Sequence, residues 1–487
     1  MNSINGVDPK AIEADVVIVG GGAAGLPAAI TAKESSANDV VLIEKRGGLG
    51  GNAAMAWGLF ATESPVQKQA LVEARNDELF HTIMDWAHWS IDPRIIRAFI
   101  DKSGDTISWL EKKGIRFDLL RYYPNQSPPV WHIPEGRGAR LMKTLAGNCA
   151  ELGVQILLNA GCKKILRGKN GNVIGVIAER EGEVIAIRAK SVIIATGGYA
   201  GNKELLKKYC EYYDDNIRCF GLPHTGDGLQ MAIEIGAATE SLGLLHLEWP
   251  HVHSDPEAVL ATIAREPYTV YVNNKGRRFI DETKGLHAFE CANAILRQPE
   301  KLGYILIDDE MRRNMEERGT VLGRGMKRAE RRREIPGLEE KLRSAASKDM
   351  EVLKVSDSWD EIAHWIGADP KVLRVTIDKY NSFCAQGFDE VFAKDQRYLL
   401  SLRIPPYYAI KGELIFLQTI GGLKVNEYME VLDQQDDPIP GLYAAGVDTG
   451  GWEPDTYCDK LSGAALGFSI NSGRIAGEVA AKYISGK

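Results

Sequence analysis

Three closely spaced glycines and one downstream acid are the residues whose types and spacing point most directly to chemistry. Gly20, Gly22 and Gly25 form a GxGxxG pattern after the apolar run ADVVIVG, and Glu44 lies near the end of the next apolar run, NDVVLIEK. The first glycine permits a tight turn, the second lets backbone amides approach a pyrophosphate, and the third lets a helix pack closely on a strand. An acid at this distance can bind a ribose hydroxyl. The pattern therefore predicts a dinucleotide site.

Further glycine clusters indicate which dinucleotide the predicted site binds. GGLGGNAAMAWG begins at Gly47, and the clusters ATGG at 195–198 and GLYAAG at 441–446 each end an apolar run. Small residues at several separate turns allow the backbone to approach one extended ligand at several points. A nicotinamide site usually needs only the first of these turns, so the sequence predicts FAD.

These residues, together with further blocks along the chain, resemble the flavoprotein family of fumarate reductase, succinate dehydrogenase and 3-ketosteroid dehydrogenases. The resemblance covers nearly the whole chain, in the family's order, through the blocks GGGAAGLPAA, EKRGGLGGN, ATGGYAGN, HTGDGLQMA, VNNKGRRFIDE, TIGGLKVN, GLYAAG and GFSINSGRIAG. It implies an α/β fold. A Rossmann-type FAD-binding domain, residues 1–240 and 416–487, would be interrupted by a mostly helical α+β capping domain, residues 241–415.

The same resemblance implies which residues hold the cofactor. They would follow FAD from end to end: Gly20, Gly22, Ala24 and Gly25 at the pyrophosphate; Glu44 and Lys45 near the adenosine ribose; Gly51, Asn52, Ala53, Gly58 and Leu59 beside the flavin; Cys162, through its backbone, near the adenine; Ala195, Thr196, Gly197 and Asp227 along the cofactor; and Gly446, Ala465 and Leu466 in the C-terminal part. Asn52 stands where covalently flavinylated relatives have histidine, which implies non-covalent FAD.

Three positions depart from the pattern of the dicarboxylate-reducing members. Gln418 stands where they have a histidine, Lys460 where they have a substrate-binding arginine, and Leu286 where they have a proton-donating arginine. A clamp for two carboxylates depends on charged, often bidentate donors, so these replacements weaken it. We therefore expect an enone, a ketone or an unsaturated monocarboxylate as the substrate rather than fumarate.

Polar candidates for catalysis remain near these positions. Lys460 could anchor a carboxylate or polarise a carbonyl, and Tyr457 or His287 could transfer a proton. Each of the three also fits an ordinary structural hydrogen bond. The segment HLEWPHVH would place His251 and His253 on one face of a strand. Because nothing else occurs at ligand spacing, the sequence predicts no metal site.

The predicted function is an FAD-dependent oxidoreductase that reduces an activated C=C bond or runs the reverse α,β-dehydrogenation. Hydride would pass at flavin N5. Three alternatives stay open: a 3-ketosteroid-type dehydrogenase, a fumarate reductase-like dicarboxylate enzyme, and an FAD-bearing electron-transfer subunit without an organic substrate. An electron carrier would be reoxidised by dyes or partner proteins but never by an enone.

Apolar runs and their periodicity predict the elements that position these residues. Short continuous apolar runs such as ADVVIVG and SVIIATGG predict parallel strands buried on both faces. Helices are predicted over 90–118, 139–152 and about 462–484, and residues 240–415 are the most charged and helical part of the chain.

Composition narrows the partners and the location. The chain has 487 residues and a net charge of −7, which argues against nucleic acid as a partner. Its seven cysteines show no CxxC or haem-attachment spacing, so a separate electron donor or acceptor is expected beside the small-molecule substrate. The first residues lack the basic segment of a signal peptide, and residues 16–32 are too short and too glycine-rich for a membrane span. These features predict a cytoplasmic protein.

Acid precipitation tests how the flavin is held. Because Asn52 offers no nucleophilic ring nitrogen, we expect denaturation to release yellow FAD into the supernatant. Absorbance of the supernatant and the pellet measures the distribution. A flavin that stays with the pellet, or a purified protein carrying NAD and no flavin, would contradict this prediction.

Lys460→Met tests the proposed substrate anchor, because it keeps most of the aliphatic stem and removes the charge. We expect turnover to fall by about tenfold or more, on the order of 1.4 kcal/mol, with FAD content and melting temperature retained. Steady-state kinetics on an accepted substrate measures the effect. A surface lysine paired with Asp455 or Asp459 would contribute less than about 1 kcal/mol, and its loss would leave turnover unchanged.

Overall fold

The computed structural model describes residues 10–121, 128–252, 259–321, 335–348, 351–458 and 460–486. The strands in this part of the chain are β1 Lys10–Val19, β2 Val40–Glu44, β3 Leu59–Phe60, β4 Phe117–Leu120, β5 Trp131–Pro134, β6 Gln155–Leu158, β7 Ala160–Arg167, β8 Val173–Arg180, β9 Glu183–Ile194, β10 Arg218–Cys219, β11 Thr239–Glu240, β12 Leu245–His251, β13 Val270–Asn273, β14 Gly303–Ile307, β15 Leu353–Ser356, β16 Tyr407–Thr419, β17 Gly422–Leu423, β18 Glu430–Leu432 and β19 Pro438–Ala444. The helices are α1 Gly25–Glu34, α2 Pro65–Gln69, α3 Asn76–Trp86, α4 Pro93–Lys112, α5 Arg137–Glu151, α6 Lys203–Tyr209, α7 Asp227–Glu234, α8 Val259–Ala264, α9 Ala288–Leu296, α10 Asp309–Arg318, α11 Leu338–Lys348, α12 Trp359–Ile366, α13 Pro370–Gln386 and α14 Ala464–Ile484.

The first sheet supplies the floor of the molecule's main cavity. Its strands lie in the order β18-β19-β9-β1-β2-β6, and the neighbours from β19 through β6 pair in parallel. Val16, Val17 and Ile18 in β1 are fully buried, as expected for a parallel strand covered on both faces. Antiparallel β7 and β8 extend the sheet from β9. Strand β1 lies between β9 and β2, so the crevice at its carboxyl end is the place where such sheets bind dinucleotides.

Two helices pack on this sheet through contacts that only glycine permits. A Cβ on Gly25 of α1 would lie 1.8 Å from the carbonyl oxygen of Gly20, and a Cβ on Gly473 of α14 would lie 2.1 Å from the carbonyl oxygen of Ala24. One turn later, a Cβ on Gly477 would lie 2.4 Å from the oxygen of Ala28. The glycines therefore let α14 cross directly over the backbone of α1 and bring both helices to the end of β1.

A second sheet forms the other wall. Its strands lie in the order β10-β16-β14-β13, with β12 and β15 also paired to β16. Helices α8–α13 belong to the same stretch of chain. The long strand β16 ends at Thr419, close to the start of the returning chain at β17, and it crosses the expected boundary at residues 415 and 416. The domain limits inferred from the sequence stay predictions, whereas the α/β fold with a parallel sheet is confirmed.

Several sequence-predicted elements coincide with observed ones. The helix expected over 90–118 is α4, which begins after Asp92, whose side chain accepts a hydrogen bond from the Arg94 amide. The helix expected from about 462 is α14, which begins after Gly463 in the left-handed region at φ 83°. Within the described residues, no helix is both long enough and apolar enough to cross a membrane.

The contact between Gly25 and Gly20 can be tested by adding one methyl group. Gly25→Ala would force backbone atoms apart, because the nearest atom is a carbonyl oxygen that cannot rotate away. We expect a lower melting temperature, corresponding to about 1–3 kcal/mol, measured by thermal unfolding. The matched control is Gly147→Ala, an exposed position in α5 with nothing within 4 Å of the added methyl.

Gly147→Ala should leave the melting temperature equal or slightly raised, since alanine favours a helix over glycine by roughly 0.8–1.0 kcal/mol. Equal melting temperatures for the two variants would show that the turn at Gly25 tolerates a side chain and would overturn the packing account.

Candidate functional site

The turn after β1 exposes bare backbone to a groove. Gly20 has φ 108°, and a Cβ there would lie 2.2 Å from the carbonyl oxygen of Ala195 at the end of β9. A Cβ on Gly22, in contrast, would meet nothing within 4 Å, because this residue faces the groove. Helix α1 begins just beyond it without a side-chain cap. The positive end of a helix and its amides are thus available to an anionic ligand.

The acid at the end of β2 is held in a fixed orientation. Glu44 accepts a hydrogen bond from the Gly21 amide at Oε2 and from the Arg46 amide at Oε1, each at 2.9 Å. A carboxylate oxygen has more than one acceptor site, so these bonds orient the group and leave capacity for a ribose hydroxyl. Next to it, Lys45 forms a 2.9 Å ion pair with Asp227.

A buried carboxylate joins the turns that follow β9 and β19. Asp448 accepts hydrogen bonds from the Thr196 hydroxyl at 3.0 Å and from the Gly197 and Gly198 amides at 2.9 Å. Burial raises the pKa of Asp448, and these donors oppose that shift. Sequence reasoning missed this residue. Its signal was an acid two positions after the glycine turn of GLYAAG.

The opposite end of the groove is built from the loop after β2 and the start of α14. Asn52 donates to the Leu417 carbonyl at 3.2 Å and accepts from the Leu222 amide at 2.6 Å, so both atoms of its amide are engaged. At α14, the Ala465 amide donates to the Tyr457 hydroxyl at 2.9 Å. Asn52 thus ties the loop to β16, and Tyr457 is fixed against the helix terminus.

One continuous cavity of about 1320 Å³ runs along these features. It exceeds the roughly 300–1,000 Å³ that a single small-molecule site usually occupies, so it can hold a dinucleotide and a substrate together. Seventeen of the predicted cofactor residues line it: Gly20, Gly22, Ala24, Glu44, Lys45, Gly51, Asn52, Ala53, Gly58, Cys162, Ala195, Thr196, Gly197, Asp227, Gly446, Ala465 and Leu466.

The two other predicted cofactor residues lie behind the cavity wall. Gly25 packs against the Gly20 carbonyl, which is the helix-packing role expected of the third glycine. Leu59 is buried, and a Cβ on Gly463 would lie 2.7 Å from its carbonyl carbon. Both residues shape the groove from behind, and the individual contacts of the whole set with the cofactor stay predictions.

The cap side of the cavity carries a stack of three rings. The His246 ring lies parallel to the Tyr457 ring with centroids 3.8 Å apart, and Phe289 packs edge-on against Tyr457 at 4.9 Å. Burial lowers the pKa of His246 to about 3, so its imidazole is neutral at physiological pH. Burial raises the pKa of Tyr457, so its hydroxyl keeps its proton. All three rings are therefore uncharged.

One ion pair lies beside the stack. Arg265 reaches Glu248 with a nitrogen-to-oxygen distance of 3.6 Å, and Glu248 lies 3.9 Å from Nε2 of His246. Burial raises the pKa of Glu248, and Arg265 opposes that shift. All three residues line the cavity. The positive charge of Arg265 is thus balanced by an acid of the chain itself.

Comparison with known proteins places this architecture in a family. Residues 15–455 match the family described as FAD binding domain. The chain belongs to this family. It is 29% identical over 482 residues to the vinyl phenol reductase of Lactiplantibacillus plantarum, with 96% of each protein covered. It is 30% identical over 474 residues to a probable fumarate reductase of Shewanella frigidimarina, covering 96% of this chain and 75% of that protein.

A solved structure shares the fold at lower identity. The 3-ketosteroid Δ1-dehydrogenase of Sterolibacterium denitrificans matches with a TM-score of 0.81 and 20% identity, covering 98% of this chain and 100% of the other. The resemblance noted in the sequence is therefore confirmed. This member of the FAD binding domain family binds FAD and is an oxidoreductase acting on C=C groups. The open face of Gly22 and the oriented Glu44 fit that cofactor.

Two of the three predicted catalytic residues lie outside the cavity lining of this family member. Tyr457 is in the lining, whereas Lys460 is exposed and His287 precedes α9, and neither is among the described residues that line the cavity. Leu286 is likewise outside it, and Gln418 is within it. The roles of these residues stay predictions.

Sequence reasoning missed most of the cap wall. His246 and Glu248 belong to the segment that drew attention as a metal candidate, and their alternation along β12 was the available signal. Arg265 and Phe289 come from separate segments of the chain, and no sequence signal pointed to either of them. Of the metal candidates, His251 packs against Phe220 with ring centroids 4.8 Å apart, and His253 lies outside the described residues.

Proposed function

We propose that the chain reduces a C=C bond conjugated to an uncharged activating group, or runs the reverse dehydrogenation. The observation that carries this proposal is the cap wall, where the neutral ring of His246 stacks on that of Tyr457 and Phe289 packs edge-on against Tyr457. Planar conjugated molecules pack well against such rings. The vinyl phenol reductase among the relatives, whose name describes an uncharged aryl alkene, supports the same reading.

Charge balance disfavours a dicarboxylate in this wall. The cation of this wall, Arg265, is already paired with Glu248, with a nitrogen-to-oxygen distance of 3.6 Å. Two other arginines of the described residues line the cavity away from this wall. Arg46 lies beside Glu44, and Arg137 is exposed and covers the ring of Trp57 at 3.6 Å. Glu248 would repel the two carboxylates of a dicarboxylate substrate. Each charge-assisted hydrogen bond that such a substrate fails to make costs about 1.5–3 kcal/mol. Fumarate is therefore a poor fit.

FAD, when bound, supplies the hydride for the reaction. The residues of the chain bind the alkene, exclude water and supply the proton. We assign the proton to the Tyr457 hydroxyl, because its oxygen accepts from the Ala465 amide and its own hydrogen remains to be donated. The positive end of α14 would stabilise the oxygen as the proton leaves.

Alternative functions make different demands on the same cavity. A steroid ketone would use the ring stack equally well, but the support for it is a shared fold at 20% identity. An electron-transfer subunit would need no enclosed space beyond the cofactor, whereas the cavity extends to His246 and Phe289. The proposal also includes a separate electron donor and a cytoplasmic location. Both come from the sequence and not from the geometry of the site.

Reoxidation of the reduced enzyme tests this function. Dithionite-bleached protein is mixed anaerobically with a conjugated enone, with para-hydroxystyrene or with fumarate, and the return of flavin absorbance is recorded. We expect rapid return with at least one uncharged alkene. With fumarate it should be slower by at least about tenfold, since a single lost charge contact already costs about 1.5–3 kcal/mol.

An artificial dye serves as the control for redox competence. Return of the spectrum with the dye but with no alkene would favour the electron-transfer alternative. If the flavin absorbance returns fastest with fumarate, the proposal of an uncharged substrate is wrong and the dicarboxylate alternative is favoured.

A further inference from the structure

His246 is a buried side chain whose polar atoms have nothing to bind within the described chain. It is 6% exposed, it lines the cavity, and neither Nδ1 nor Nε2 has a hydrogen-bond partner among the described residues. A buried polar group without a partner costs about 1–3 kcal/mol, so a bound molecule that satisfies it gains affinity. The rings of Tyr457 and Phe289 hold His246 in place.

The groups around His246 are mixed donors and acceptors. A neutral imidazole offers one N–H donor and one acceptor nitrogen. Glu248 adds carboxylate acceptors, the nearer oxygen lying 3.9 Å from Nε2 of His246. That distance is too long for a direct hydrogen bond, and Arg265 balances the charge of Glu248 from its other oxygen. A ligand atom placed here must donate to one group and accept from the other.

We propose that His246 and Glu248 together bind a hydroxyl group of the substrate, and that the substrate is a hydroxyl-bearing aryl alkene. The inference rests on the proposed function and names the substrate class for the same cavity. A hydroxyl oxygen accepts from the imidazole N–H while its hydrogen is donated to the carboxylate. The aryl body then packs beside the rings of Tyr457 and Phe289.

Other oxygen groups match this pair less well. A ketone oxygen only accepts, so it leaves the Glu248 oxygen unsatisfied, and an ionised carboxylate is repelled by Glu248. Sites built to bind a hydroxyl reject analogues that lack it, because their own buried polar groups are then unpaired. The pair thus distinguishes a hydroxylated substrate from a molecule of the same shape without the hydroxyl.

Ligand binding tests the anchor without requiring turnover. The FAD-loaded protein is titrated with para-ethylphenol and with para-ethyltoluene, in which a methyl group of similar size replaces the hydroxyl, and the flavin spectrum reports binding. We expect the phenol to bind at least about tenfold more tightly, which corresponds to about 1.4 kcal/mol. In His246→Phe, which keeps a ring on Tyr457, we expect the two affinities to differ by less than about threefold.

Two further variants keep the test decisive. His246→Gln restores a donor and an acceptor and should recover part of the preference, even if the phenylalanine variant folds poorly. His364→Phe, an exposed histidine on α12, is the matched control and should keep the full preference. FAD content and melting temperature are measured for each protein.

Outcomes separate the anchor from the proposed function. Equal binding of both ligands by the unaltered protein, or an unchanged preference in folded His246→Phe, would overturn the anchor. Reduction of enones without any hydroxyl preference would do so as well, while leaving the proposed function intact. A hydroxyl preference that depends on His246, in a protein that reduces no alkene, would uphold the anchor and refute the function.

Discussion

The close approach of bare backbone at the end of β1 is the constraint on which the cavity depends. Helix α1 sits on the carbonyl of Gly20, and α14 crosses α1 at the carbonyl of Ala24, because Gly25 and Gly473 have no side chains. A side chain at either contact would force the two elements apart, because the nearest atom is a backbone carbonyl oxygen. Residues at the start of both helices line the same cavity, so this crossing sets how far apart the two helix N-termini lie.

Hydrogen bonds to backbone groups join the remaining parts to that crossing. Asp448 holds the turn after β9 through three donors, and Asn52 joins the loop after β2 to β16. Strand β16 belongs to the second sheet, so the same bond that positions the loop also positions the cap. The two walls of the cavity are therefore fixed relative to each other by interactions that do not involve substrate.

The chemical character of the site comes from what the cap contributes. Tyr457 is anchored to the first turn of α14, yet its face is covered by His246 from the second sheet. Burial keeps both rings neutral, in the imidazole by lowering its pKa and in the phenol by raising it. Arg265 is paired with Glu248, so the charge that could have attracted a second carboxylate is balanced inside the protein.

The sequence by itself determined the cofactor side of this protein. The glycine turns, Glu44 and the C-terminal helix are contiguous motifs whose conformations follow from local backbone demands, so their spacing was sufficient to predict FAD and the α/β fold. The substrate side was decided by tertiary structure. His246, Arg265 and Phe289 are distant in sequence and meet only when the second sheet folds over the first. Lys460 shows the reverse: its place in a motif suggested the cavity, but its neighbours Leu461 and Ser462 are buried and its own side chain is exposed. Proximity along the chain does not fix the direction of a side chain, and only packing does.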